Sequence, residues 1–348
     1  MYLSFTQGDN TPESFIGEEA VRKSGVVHMK HLGRFDPKKG DLGGGIVYDW
    51  DVMGKLLDYA AHRLGVNPSE HRYLMSISSS RTDADLNKMK EIVFEKINAP
   101  AMYIEEDSVL ALFGSQRTTG VVVNAGHEVT HVVPVIDGIP IHKAKRRIRL
   151  GGKPLTECMV KMLQERGYGF SSLAEAEMVA EDIKKKLCFV SLDFDKETAK
   201  VSSESSSLDK SYTLADGNVV TVQDEIFRCP EILFKPRMFF SHSEVPGLGV
   251  SSLLHRAIEA CSRNVWSDLY QNVVVTGGSS MFTGFADRLE NEISTLAPYE
   301  YKSNVHIDAP LDRQYTPWTG GSIVASLPSF HNKWTTKQNY EENGALRT

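Results

Sequence analysis

The stretch that most constrains this chain is residues 121–135, VVVNAGHEVTHVVPV. Val121, Val122 and Val123 are β-branched and consecutive, which predicts a buried strand. From Val129 to Val135 the pattern alternates more and predicts the return strand of a hairpin. Asn124-Ala125-Gly126-His127-Glu128 is then the turn. A glycine-bearing turn at the end of a buried strand can bring backbone N–H groups close to a phosphate. An ordinary hairpin loop has the same composition, so the turn by itself leaves both readings open.

A second copy of the pattern follows later. Val273-Val274-Val275 is another short apolar run, and Gly277-Gly278-Ser279-Ser280 comes straight after it. Helices lie between and around these strands. Met53, Leu56, Leu57, Ala60 and Leu64 keep helical spacing over Trp50–Leu64, and Gly65 supplies a stop. Leu86, Met89, Val93 and Ile97 predict a helix over 83–97, capped by Thr82 or Asp83. Further helices are expected over 108–113, over 155–166, and from Ser172, with Glu175 as its capping-box partner, to about Cys188. Two more are expected over 253–261 and from Phe285. A last one is expected to begin at Gly320-Gly321 and run through Ile323, Val324 and Leu327. Strands are expected over 71–78 and 101–104, and Asp216-Gly217 predicts a hairpin turn. The 193–210 segment is expected to hold a serine-rich loop at 202–207. Strands alternating with helices argue for an α/β fold.

Length and charge exclude several classes. At 348 residues the chain can bury a large core and is expected to form two lobes. A net charge of −6 gives no general case for nucleic acid. No apolar run approaches the ~18 residues of a membrane span. Cys158, Cys188, Cys229 and Cys261 have no metal spacing and are expected to be reduced thiols. Lys143, Lys145, Arg146, Arg147 and Arg149 crowd into seven residues; a solvated strand edge is the favoured reading, an anion or partner surface the other.

The wider text closely resembles actin. The resemblance is carried by TTGVVVNAGHEVTHVVPVIDG, LTECMVKMLQERGYGF, DIKKKLCFVSLDFD, DGNVVTV, FRCPE, VVVTGGSSMF, WTGGSIVASL and KWTTKQNYEENG, in order from about Glu13 onward. It implies a two-lobed, actin-like ATPase fold built from ribonuclease-H-like halves. The two Val-Val-Val strands fit such paired halves. The family's first phosphate-binding hairpin has no counterpart in this sequence, so the first half is expected to be N-terminally truncated. The implied division is 1–38, a remnant of the small outer subdomain; 39–114 with 316–348, the first-lobe core; 115–150 with 251–315, the second-lobe core; and 151–250, the outer subdomain of the second lobe. A hinge is expected near residues 113–117.

The resemblance also assigns roles. The family's phosphate turn reads Asp-Ser-Gly-Asp-Gly, so Asn124, Gly126 and His127 take its place here. Asn124 lacks the charge that favours magnesium, and Glu128 brings a carboxylate toward a triphosphate. Asp107 stands where actin has a water-positioning glutamine, and His131 keeps the catalytic histidine; a structural, hydrogen-bonded role for His131 is the alternative. Gly277, Gly278, Ser279, Met281 and Phe282 match the adenosine loop, although Gly277-Gly278 also suits a plain tight turn. Lys184 matches a residue lining the adenine, Lys185 replaces a ribose-contacting glutamate and Gln314 replaces a lysine. Phe113, Thr118, Ile139, Ile323, Val324 and Leu327 match the groove that receives amphipathic helices; part of this set can equally be core.

Together these imply a divergent actin or actin-related protein. Its expected role is that of a structural subunit in a cytoskeletal or chromatin-type assembly, in the cytoplasm or nucleus. ATP or ADP is expected to bind weakly, with no firm magnesium site and a degenerate ATPase. Expected partners are amphipathic helices and other actin or actin-related subunits, with no membrane and no direct nucleic-acid contact. The rival reading is a working ATP-binding actin whose N-terminal segment lies outside this sequence.

Overall fold

The valine run becomes a central strand because every one of its side chains has apolar company. The strand β6, Gly120–Ala125, pairs antiparallel with β7, Thr130–Ile136, and parallel with β12, Val273–Thr276. Val121, Val123, Val273 and Val275 enter the main core, while Val122 and Val274 on the opposite face are also fully buried. Burial on both faces explains a continuous apolar run without alternation. The two valine strands are therefore neighbours in one sheet, rather than one in each half. The sheet runs β13-β12-β6-β7-β8, with β8 at Ile139–Pro140, β13 at Ile307–Asp308, and β9, Arg146–Ile148, also paired to β7.

The computed structural model describes residues 2–5, 14–16, 28–31, 49–78, 82–203, 209–214, 217–240 and 247–343. Asp216 and the 204–207 part of the serine stretch lie outside them. The chain divides into two compact units, residues 1–110 with 321–348, and residues 111–320.

In the first unit, β1 (Tyr2–Phe5), β2 (Ser14–Ile16) and β3 (His28–His31) form an antiparallel sheet in the order β2-β1-β3. The helix α1, Trp50–Leu64, starts where Asp49 Oδ1 accepts the Val52 N–H at 3.0 Å, and stops at Gly65 in the left-handed region, φ 68°. The strands β4, Tyr73–Ile77, and β5, Ala101–Glu106, pair parallel, and the Thr335–Thr336 strand adds antiparallel to β5. The helix α2, Asp83–Glu91, opens with a reciprocal capping box between Thr82 and Asp85. It is shorter than its periodicity predicts, because a π-helical turn takes over at Ile92–Lys96. Ile92, Val93 and Phe94 are each fully buried. A regular α-turn spreads three consecutive residues around the helix, and the wider turn keeps all three inside.

The second unit carries most of the fold. After α3, Asp107–Gly114, and the sheet come α4 (Gly152–Glu165), α5 (Leu173–Leu187) and α6 (Phe194–Ser203). The hairpin β10 (Lys210–Thr213) and β11 (Val219–Val222) follows, with Gly217 at φ 88° in its turn. Then come α7 (Glu225–Glu231), α8 (Val250–Glu259), α9 (Trp266–Gln271) and α10 (Phe285–Leu296). Ser202 and Ser203 of the expected serine-rich loop, with the residues before them from Phe194, are thus helix α6, capped by Asp193 accepting the Lys196 N–H.

The helix expected to begin at Gly320-Gly321 begins earlier. It is α11, Thr316–Ser326, with both glycines inside it and Leu327 beyond its end. A Cβ on Gly114 would lie 2.5 Å from Thr316 O and 3.2 Å from Gly320 N. Small residues here serve close packing of α3 on α11 rather than helix termination. Nor is α11 the last helix, since α12 follows at Lys337–Asn343.

Candidate functional site

The strands β6 and β12 end level, with Asn124 opposite Thr276, so the two glycine turns leave the same edge of one sheet. The β6–β7 turn closes when the Gly126 N–H donates to Val129 O at 3.0 Å. Gly277 lies at φ 93°, ψ 151°, in a region open essentially to glycine. A Cβ there would sit 2.3 Å from Ala125 O and 2.5 Å from Asn124 Oδ1. The Ser279 hydroxyl then donates to Gly126 O at 2.7 Å, which joins the two turns.

A third element docks on the same carbonyls. The Gly152 N–H, at the start of α4, donates to Gly126 O at 3.0 Å, and the Lys153 N–H donates to His127 O at 2.6 Å. The α4 start is therefore already engaged by the turn. From α5, the buried Lys184 ammonium donates to Gly152 O at 2.7 Å and to Thr156 Oγ1 at 2.6 Å. Burial pushes the Lys184 pKa down, against the opposing pull of Glu181.

Three polar groups meet at Gly152. A methyl in place of its hydrogen would lie 3.1 Å from Ser279 Oγ, 3.4 Å from His127 Nδ1 and 3.5 Å from Lys184 Nζ. Beside them Glu181 accepts from Lys185 at 2.6 Å. Burial raises the Glu181 pKa, but Lys185, Lys184 and His127 outweigh this and hold the carboxyl below its usual value.

The glycine–serine loop is braced from behind by a residue that carried no sequence signal. Arg313 is buried and donates to Ser280 O at 2.5 Å and to Pro310 O at 3.1 Å. Thr276 Oγ1 in turn donates to Arg313 O at 2.6 Å. Gly152 and Thr156 were also missed. A glycine pair ahead of an amphipathic helix, Gly151-Gly152, was the available signal for the first; a lone arginine or threonine offers none.

Of the residues expected in the nucleotide site, Asn124, Gly126, His127, Lys184, Gly277 and Ser279 come together here. Gly278 is exposed at the loop tip, Met281 is half-buried and Phe282 is buried below. His127 is exposed and Glu128 half-buried. His131 is buried on β7 and lies in one cross-strand row with Thr276, Asn124 and Arg147. Asp107 opens α3 in the first unit. Lys185 and Gln314 are exposed.

The residues expected to line a partner groove divide between the units. In the second unit, Phe113 is half-buried and Thr118 and Ile139 are exposed; a Cβ on Gly138 would lie 3.7 Å from the Phe113 ring, and the Gly138 N–H donates to Thr118 O at 2.8 Å. In the first unit, Ile323 and Leu327 are exposed and Val324 is buried.

A mixed α/β chain whose sheet ends in two apposed glycine turns, met by a helix start, has the features of an actin-like α/β fold. The family model for actin matches residues 16–347, and this chain belongs to the actin family. Among the described residues no helix is long and apolar enough to cross a membrane.

Proposed function

We propose that this chain works as a structural or interaction subunit of a cytoskeletal or comparable assembly, with a nucleotide site that holds ATP or ADP weakly and grips magnesium poorly. One observation carries the reading. The turn at 124–129 keeps its close packing on Gly277, Ser279 and α4, yet the side chains at its ends are the neutral Asn124 and the carboxylate Glu128. The resemblance assigns this turn to phosphate, and on that reading its packing is kept while its charge pattern is altered. Magnesium is a hard cation that favours anionic oxygen, and Asn124 offers a neutral one. A carboxylate about 4 Å from a phosphate charge opposes it by roughly 1 kcal/mol in water and several times that away from solvent. The donor set therefore does not fit a firm magnesium–triphosphate complex.

Calorimetry tests this. The unaltered chain is expected to bind ATP with magnesium only weakly, and Asn124→Asp with Glu128→Gly together to tighten it about tenfold or more, on the scale of one charge-assisted contact. Submicromolar binding by the unaltered chain would refute the reading.

The partner face is proposed to include the exposed Ile323 and Leu327, which suit the apolar side of an amphipathic helix. Ile323→Asp is expected to reduce capture of helical partners in pull-downs at a small cost in stability, since Ile323 is 41% exposed. Unchanged capture of every partner would remove that face from the site.

A further inference from the structure

We propose that the outer edge of β4 is an interface between two copies of this chain, which pair their β4 strands antiparallel about a two-fold axis through Met75. The interface is independent of the nucleotide site.

A row of backbone groups stands unused there. The β4–β5 sheet of the first unit ends at β4, whose one neighbour is β5. An edge strand turns the N–H and C=O groups of alternate residues outward. Among the described residues, none of Tyr73–Ile77 makes a backbone hydrogen bond outside the ladder with β5.

Sheet edges are ordinarily guarded by charge, proline, a bulge or shortness. The large sheet of the second unit keeps that rule. One side of it ends in β8 and β9, with Pro140, Arg146 and Arg147, and the other in the two-residue β13. The strand β4 does not keep it. Tyr-Leu-Met-Ser-Ile carries no charge and no proline, and it pairs with β5 in unbroken register from Tyr73 opposite Met102 to Ile77 opposite Glu106. Tyr73, Leu74, Met75 and Ile77 are each only half-buried, and three of them flank the apolar cluster around Phe94.

The occupant follows from the strand's complementarity to itself. An axis through Met75 sets Tyr73 of each copy opposite Ile77 of the other, with Met75 opposite Met75 on the same face. Leu74 and Ser76 meet on the other face. An aromatic side chain against a β-branched one is a favourable cross-strand pair, and a strand without charge opposes no like charge. The two Arg72 side chains fall at opposite ends of the joint, about 20 Å apart. Each lies over its own Trp334 ring, 5.7 Å from the centroid. An isologous contact of this kind closes on itself, so it makes a dimer rather than a fibre.

Sedimentation of the full chain from about 1 to about 100 μM is expected to show monomer and dimer in equilibrium and nothing larger. Ser76 is exposed, so Ser76→Lys keeps the fold while placing a charge on the edge; it is expected to raise the dimer Kd at least tenfold, by about 1.4 kcal/mol or more. Thr295→Lys, exposed on α10 in the second unit, adds the same charge and is expected to leave the Kd unchanged. Cross-linking reads the register. Met75→Cys sets two thiols opposite each other, inside the ~4.4–6.8 Å Cα spacing that a disulfide spans, and is expected to cross-link under mild oxidation. Ile77→Cys separates them by about 13 Å and is expected not to. A chain that stays monomeric overturns the proposal and leaves the edge to a strand of a different protein. A dimer indifferent to Ser76→Lys, a species larger than a dimer, or the reverse cross-linking pattern overturns it as well.

Discussion

Gly277→Ala removes no contact and adds one methyl, so its effect isolates the junction between the two glycine turns. Gly277 is buried at φ 93°, ψ 151°. Placing a non-glycine residue there costs about 1–3 kcal/mol in backbone strain. The added Cβ would also lie 2.3 Å from Ala125 O, 2.5 Å from Asn124 Oδ1 and 2.6 Å from Ala125 C. Two of these are backbone atoms of a buried strand end and cannot swing aside. Overpacking of this kind costs about 1–3 kcal/mol more. A total of ~4 kcal/mol is expected, a large share of the ~5–15 kcal/mol that stabilises a domain. Gly278→Ala is the control. A Cβ there meets nothing within 4 Å, so it is expected to cost less than about 0.5 kcal/mol. Urea unfolding can be followed by fluorescence from Trp266 and Trp318, which both lie in the 111–320 unit. With an m-value of about 2 kcal/mol/M, the Gly277→Ala midpoint should fall by about 2 M while Gly278→Ala stays near the unaltered chain. Equal midpoints for the two variants would refute the close approach of the turns.

Other outcomes follow from buried charge and from ionisation. Arg288 donates to the fully buried Glu231 at 3.0 Å and to Ser191 O at 2.5 Å; Arg288→Ala is expected to destabilise by about 3 kcal/mol in urea unfolding, because it leaves the buried carboxylate only the longer contact to Lys235 at 3.5 Å. A loss under about 1 kcal/mol would mean that the pair is solvated. Tyr270 is fully buried, with its hydroxyl 3.0 Å from His255 Nδ1, and burial together with the nearby Glu259 and Tyr301 pushes its pKa up to about 12. Its folded pKa exceeds the ordinary 10.0, so its contribution to stability is complete below about pH 10 and is lost as pH rises toward 12. Ultraviolet titration should find this tyrosine silent until unfolding begins, and ionisation at the ordinary pKa in the folded chain would contradict its burial.

Much of the scaffold was legible because it depends on local patterns. The period of Met53, Leu56, Leu57 and Ala60, with Gly65 behind it, matches α1 and its left-handed stop. The Ser172 cap and the turn at Gly217 also follow local chemistry. Where reading failed, a distant partner had decided the outcome. Gly320 and Gly321 look like a helix boundary in sequence, but the packing of Gly114 on α11 places them inside a helix. The serines at 202 and 203 look like loop, yet they close α6 by bonding back to Thr198 O and Lys200 O. The candidate site divides in the same way. Its glycine turns stand out in sequence, whereas Arg313, Thr156 and the convergence on Gly152 do not.

What the sequence determined alone is many of the local elements, because periodicity, capping residues and turn glycines act within a few residues of each other, and the family, through the order of its motifs. Which polar atoms share one corner was decided only by the tertiary structure. His127, Lys184 and Ser279 are separated by dozens of residues, and no local rule links them. They meet because two parallel strands end level and a helix start sits on the same turn, and that is a consequence of packing the whole sheet.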